Sequence, residues 1–122
     1  MFLQSQGIDY VREFQLATTG KKRFDFYFVW NERQYLVEID GKQHFEFNLF
    51  FHKVEAKFLK CQQIDILKTQ TAINERYFIV RIDFKSFETM ESHLEKSLML
   101  HASQAYYLSD AAMYAYITDC LK

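Results

Sequence analysis

No proline interrupts the 122 residues, and glycine occurs only three times. Turns must therefore be built mostly from Asn, Asp and Ser, whose side chains hydrogen-bond locally. Only two cysteines are present, Cys61 and Cys120, far apart in the chain. That excludes a disulfide scaffold and makes a reduced, intracellular protein the expectation. No run is long and apolar enough to span a bilayer. The opening MFLQSQGIDY lacks the charged and apolar regions of a signal peptide, so neither membrane insertion nor secretion is expected. A one-sided charge is missing too. The formal net charge is -1, which counts against a uniformly basic nucleic-acid binder.

What is present is a globular composition. Hydrophobic residues make up 49% of the chain, with 13 Phe and 8 Tyr, enough for a core without staples. The length and the lack of linker, repeat or low-complexity tract predict one domain over residues 1–122. Basic residues gather at Lys21, Lys22 and Arg23 and again at Lys53, Lys57 and Lys60, whereas acidic ones gather at Glu88, Glu91 and Glu95. A locally basic face on a neutral protein is consistent with this distribution.

Periodicity gives the elements. YVREFQLA (10–17) alternates, with Phe14 and Leu16 on one face and Glu13 and Gln15 on the other. RFDFYFVW (23–30) is the clearest strand, with Phe24, Phe26, Phe28 and Trp30 sharing a face. Asn31–Arg33 reads as a hairpin turn. QYLVEID (34–40) is apolar on both sides in its middle, as a central strand should be. Residues 51–74 have helical spacing, in one bent helix or two, with Val54, Phe58, Cys61, Asp65 and Lys68 stepping by three or four. RYFIVRIDF (76–84) is a fourth strand. Two helices follow, over 86–101 and 109–121, with Ser86 and Ser109 at their starts. The order predicts an α/β fold: a mixed four-stranded sheet with strands at 10–17, 23–30, 34–40 and 76–84, flanked by helices.

The polar chemistry sits in VEIDGKQHF (37–45). Glu38 and Asp40 share one strand face. A hairpin across 31–33 brings Asp25 near their level, where opposed Cβ atoms lie about 5 Å apart. Carboxylates that close repel unless a cation or a proton intervenes. Asp25, Glu38 and Asp40, with Glu13 on the outer strand as a further candidate, make a hard-oxygen site suited to Mg²⁺ or Mn²⁺. Such an ion can orient a phosphodiester and stabilise its leaving oxygen. The plainer reading is a solvated strand face followed by ordinary Asp-Gly turn chemistry.

RFDFYF, YLVEIDGKQHF, IDILK and YFIVRIDF together resemble the PD-(D/E)XK nuclease superfamily over residues 10–84. The resemblance is to its E-x-D-G-x-Q-H branch, which is similar to very-short-patch repair endonucleases and to homing-type endonucleases of phages and large DNA viruses. It implies a restriction-endonuclease-like fold and a Mg²⁺- or Mn²⁺-dependent endonuclease acting on DNA. It carries the metal ligands onto Asp25 and Glu38. Asp40 falls where the superfamily's usual lysine stands, so another group supplies that function or activity is lost. Lys42, Gln43 and His44 are the candidates. A histidine used in this region by the short-patch relatives favours His44, as general base or acid. The resemblance also gives Lys68 a phosphate-contacting role, with Asp65 orienting it. Without it, Asp65 and Lys68 are an ordinary i, i+3 pair.

The other features have two readings each. Lys21, Lys22, Arg23, Lys42, Lys53, Lys57, Lys60 and Lys68 are either solvated or contact DNA phosphates, with steep salt dependence. His44 and His52 are eight residues apart, as are His93 and His101; neither spacing is a zinc signature, and no cysteine joins them. The Tyr-rich segment AYYLSDAAMYAYI suits core packing, a homodimer face or base stacking. Two alternatives to a nuclease follow. One is an inactive nucleic-acid-binding module on the same fold; the other is a protein-interaction domain.

Overall fold

The computed structural model describes residues 2–16, 22–47, 52, 55–100 and 103–121. The elements are α1 (Phe2–Ser5), β1 (Tyr10–Gln15), β2 (Arg23–Trp30), β3 (Arg33–Asp40), a 3-10 turn (Lys42–His44), α2 (Glu55–Asn74), β4 (Phe78–Asp83), a second 3-10 turn (Phe84–Thr89), α3 (Met90–Leu98), β5 (Tyr106–Leu108) and α4 (Ala115–Thr118). The expectations for Ala17, Lys21, Phe51, Lys53, Val54 and His101 lie outside the described residues.

The sheet has five strands in the order β1-β2-β3-β4-β5, one more than the sequence pattern predicts. The first three form an antiparallel meander. β4 lies parallel to β3, and β5 parallel to β4. A parallel neighbour needs a crossover, and α2 supplies it. The β2–β3 turn is Asn31–Glu32, both at positive φ (49° and 65°). This matches the backbone twist that two-residue hairpins favour; Asn tolerates it more readily than Glu.

Both sheet faces are covered, so the central strands are apolar on both sides. Every residue of β4 is buried. One face holds Leu3, Phe28, Tyr35, Val37, Val80, Ile82 and Leu94, under α1 and α3. The other holds Leu16, Phe24, Leu36, Ile79 and Ala72, under α2. Phe14 and Leu16 share this second face as expected. Phe24 does not stay with Phe26 and Phe28: it joins the α2 side while they join the other. Alternation breaks at Asp25, across from Glu13, which sits between the Arg12–Phe26 and Phe14–Phe24 pairs at φ 53°.

The C-terminal third departs most from the periodicity. Where 86–101 reads as one helix, the chain makes a 3-10 turn and then α3. Asp83, not Ser86, caps the 3-10 turn, accepting from the Lys85 amide at 2.9 Å and the Ser86 hydroxyl at 2.8 Å. Where 109–121 reads as helix, only Ala115–Thr118 is α-helical. Asp110 accepts from the Ala112 and Met113 amides, and Ser109 instead turns back to Asp83.

Candidate functional site

α2 turns an unusually polar stripe toward the sheet: its buried residues are Asp65, Lys68, Thr69 and Ala72. The i, i+3, i+4, i+7 spacing puts them on one face. A polar stripe can be buried only if each group finds a partner. The partners come from side chains of β3 and β4, from the Arg23 carbonyl on β2, and from His44 and Tyr116.

The ladder between β2 and β3 ends at the Phe26–Val37 pair. Beyond it, side chains take over the hydrogen bonding. The Asp25 amide donates to Glu38 Oε1 at 3.0 Å, and the Ile39 amide donates to Asp25 Oδ2 at 2.7 Å. The sequence expectation that Asp25 and Glu38 meet across the hairpin is met. Lys68 reaches in from α2 and donates from Nζ to Glu38 Oε2 at 3.0 Å and to the Arg23 carbonyl. Its ammonium also lies 4.6 Å from the centre of the Phe24 ring, close enough for a cation–π contact. Burial pushes the Glu38 carboxyl up to about 7; Arg81 and Lys68 pull it down, and the neighbouring Asp25 and Asp40 push it up again. Burial, more than the neighbouring carboxylates, is what raises it, and it does so despite the Lys68 ammonium in contact.

One strand position further on lies a second network, centred on Arg81. Its guanidinium is fully buried. Nη1 donates to Asp40 Oδ1 and Oδ2 at 3.0 and 2.9 Å, Nε to Thr69 Oγ1 at 2.9 Å, and Nη2 to the Asp65 carbonyl at 3.1 Å. The Tyr114 hydroxyl donates to Asp40 Oδ2 at 2.7 Å, and the Tyr116 hydroxyl to Asp65 Oδ2 at 2.8 Å. The phenols of Tyr114 and Tyr116 are held well above their ordinary range, chiefly by burial and then by these carboxylates.

His44 closes the network. Its Nδ1 lies 2.8 Å from Asp65 Oδ2, 3.7 Å from Asp40 Oδ1 and 3.8 Å from Cys61 Sγ. Gln62 Nε2 donates to the His44 carbonyl at 3.0 Å and pins the turn to α2. Burial alone would drive the imidazole neutral. The hydrogen bonds with Asp65 and Cys61 and the charges of Asp65 and Asp40 outweigh it, raising the pKa to about 10. Asp65 is correspondingly held below its usual range: burial opposes this, and His44 and Arg81 overcome it.

A cavity of about 400 Å³ joins the two networks. Glu38, His44, Cys61 and Asp65 form part of its wall, and Lys57, Lys60 and Lys68 another part. Lys57 and Lys60 are exposed and Lys68 is buried.

The structure therefore sorts the expected site residues. Asp25 meets Glu38 and, through it, Lys68; Glu38 and Lys68 share the cavity wall with His44 and Asp65, whereas Asp25 does not line it. Asp40 does not serve as an open ligand: its carboxylate is fully buried and taken up by Arg81 and Tyr114. Lys68 pairs with Glu38 rather than with Asp65. Glu13 stays outside, exposed, with its carboxylate 3.9 Å from Arg23. Lys42 points to solvent in a surface pair with Glu46 at 3.4 Å, worth little to stability. Gln43 folds its amide over Gly41, where a Cβ would lie 2.5 Å from its Oε1. The sequence reading missed Arg81, Tyr114 and Tyr116. Arg81 carried a signal: a cation in the middle of a strand that is apolar up to its final Asp83 demands buried carboxylate partners.

Asp25 and Glu38 are the residues whose donor chemistry would suit a hard divalent ion, although the Lys68 ammonium already occupies one Glu38 oxygen. Two carboxylates from adjacent strands offer hard oxygens, and each still has lone pairs after its hydrogen bonds. No protein-family model matches this chain, and neither does any curated protein or solved structure. No helix among the described residues is long and apolar enough to cross a membrane.

Proposed function

We propose that the chain is a metal-dependent endonuclease that hydrolyses DNA phosphodiesters, on a restriction-endonuclease-like arrangement of its sheet. The observation that carries this reading is the Lys68 ammonium at 3.0 Å from Glu38, whose other oxygen is bound to the Asp25 amide. Two acids and a lysine are thus assembled from β2, β3 and α2. The lysine that the E-x-D spacing lacks comes from the helix instead of the strand.

Asp25 and Glu38 would hold Mg²⁺ or Mn²⁺, which supplies Lewis-acid stabilisation of charge on the phosphate. Lys68 orients the attacking water and balances the charge that develops as it adds. His44, held as imidazolium, serves as a proton donor or phosphate contact rather than as a base. Lys57 and Lys60 bind flanking phosphates through the cavity wall. A homodimer on DNA would present two such sites and let both strands of a duplex be cut in one encounter.

A second reading, a nucleic-acid-binding module without cleavage, is favoured by one observation. Both Glu38 oxygens already accept hydrogen bonds, so an ion must share them.

The test is cleavage of supercoiled and single-stranded DNA by the full chain with Mg²⁺ or Mn²⁺, compared with Glu38→Gln and Asp25→Asn. Cleavage that is lost in both variants while their folds persist supports the nuclease. DNA binding without cleavage under any divalent ion supports the second reading. Undiminished cleavage by Glu38→Gln overturns the assignment of the site.

A further inference from the structure

Cys61 is not paired with any histidine by sequence spacing, yet it lies beside one in space. Cys61 and Asp65 stand one turn apart on α2, and His44 is delivered to them by the 3-10 turn that Gln62 clamps. His44 Nδ1, Cys61 Sγ and an Asp65 oxygen all fall within 4.8 Å of one another. We propose that these three residues form a separate binding site for a borderline-soft divalent ion, Zn²⁺ above all, with the fourth position open to water from the cavity.

The donor set selects the metal class. A thiolate and an imidazole favour Zn²⁺ over Mg²⁺ or Mn²⁺, which prefer all-oxygen surroundings such as Asp25 and Glu38. Distances are close to what coordination needs. Tetrahedral bonds of about 2.0–2.3 Å separate neighbouring ligand atoms by roughly 3.3–3.7 Å. The 3.8 Å from Nδ1 to Sγ is nearly there. The 2.8 Å from Nδ1 to Asp65 Oδ2 is a hydrogen bond that opens by about 0.5 Å as the ion replaces the proton.

Charge is conserved in the exchange. Asp40 and Asp65 together outweigh Arg81 by one negative charge, which protonated His44 now balances. On binding, His44 Nδ1 and the Cys61 thiol each release a proton to solvent. The ion's double charge, less the thiolate's single one, leaves the same single positive charge in place. One outer partner is already set: Tyr116 donates to Asp65 Oδ2 at 2.8 Å. Such a partner fixes the orientation of a ligand before the ion arrives. The cavity provides the way in.

The site is tested on the full chain, stripped with chelator, kept under a non-thiol reductant and held in excess Mg²⁺ to occupy hard-oxygen positions. Co²⁺ is then titrated in and the thiolate-to-cobalt charge-transfer band is followed. The expected result is a band saturating at one equivalent, reversed by Zn²⁺ and unchanged in Cys120→Ser. Cys61→Ser should abolish it, and His44→Gln should weaken binding at least about tenfold, with circular dichroism confirming that both variants stay folded. Absence of the band, or a band that survives Cys61→Ser, overturns the proposal. The readout involves no DNA and no cleavage, so absence of the band bears only on the metal site; a bound ion takes His44 out of its imidazolium role and leaves Asp25, Glu38 and Lys68 to carry the nuclease reading.

Discussion

Arg81 grips both carboxylate oxygens of Asp40 with a single nitrogen, Nη1, at 3.0 and 2.9 Å. Neither group is accessible to solvent, and Tyr114 and Thr69 take up further bonding capacity on each side. Asp40 is thereby a structural acid that lets a guanidinium sit inside β4.

It follows that Asp40→Asn acts first on stability. Removing one member of a buried ion pair leaves the other charge uncompensated and costs about 3–5 kcal/mol. Urea denaturation at neutral pH should show an unfolding free energy lowered by that amount, seen as a lower midpoint at unchanged slope, with cleavage retained by the molecules that remain folded. Stability within about 1 kcal/mol of the parent, combined with loss of cleavage, would mean that Asp40 binds the metal after all.

Lys68→Met separates positioning from metal binding. Methionine keeps much of the buried volume and removes the ammonium. Loss of one preorganised electrostatic contact to the reacting group costs on the order of 10²–10³ in kcat. The variant should therefore still bind Mn²⁺, read by paramagnetic relaxation, and cleave at most about 1% as fast. A rate within a few-fold of the parent would assign the lysine to holding β2 against α2 through Glu38 and the Arg23 carbonyl.

Much of this fold could be read from the chain, and the reasons are local. β2, β3 and β4 announce themselves because apolar residues fall on both their faces, and the β2–β3 turn is short. The Asp25–Glu38 meeting follows from a two-residue hairpin, which fixes register. The stripe through Cys61, Asp65 and Lys68 obeys helical spacing, and it is indeed the inward face of α2. What was illegible is set by distant partners. β5 is three half-buried residues with no alternation of their own; it is a strand because β4 offers a free edge. Asp40 could not be told from a ligand while Arg81, 41 residues away, had no assigned role. Phe24 defies alternation because the chain is irregular at Asp25, which the residue pattern alone cannot show.

The His44–Asp65 contact gives a pH signature in metal-free protein. The folded-state pKa of His44 is raised to about 10, above the unfolded value near 6.5. The stabilisation is therefore complete below about pH 6.5 and is lost as pH rises through the folded value. Asp65 is shifted the opposite way, so its contribution is present above about pH 4 and fades in acid. Proton NMR should find the His44 ring still charged at pH 8. His44→Gln should flatten the alkaline fall in stability and cost about 1.5–3 kcal/mol at pH 7, the worth of a charge-assisted hydrogen bond. A ring that titrates near 6.5 would show that the Asp65 contact does not persist in solution.

A protein of net charge -1 needs a local device to hold DNA. The whole-molecule field offers no attraction, so a local basic wall must carry binding. Lys57 and Lys60 stand i, i+3 on α2, both exposed and both on the cavity that Lys68, Glu38 and His44 share. Each lysine that neutralises a phosphate releases condensed counterions, so each adds close to one unit to the slope of log K against log salt. Lys57→Gln with Lys60→Gln should weaken binding about equally for unrelated sequences and reduce that slope by roughly two units. Denaturation should be unchanged to within about 0.5 kcal/mol, because the replaced groups are exposed. Lys42→Gln is the matched control: its ammonium pairs with Glu46 at the surface and is not part of the cavity wall. If Lys42→Gln flattened the salt dependence while the double variant left it intact, DNA would lie along the β3 turn and not across α2. The carboxylates of Asp25 and Glu38 would then no longer face the scissile phosphate.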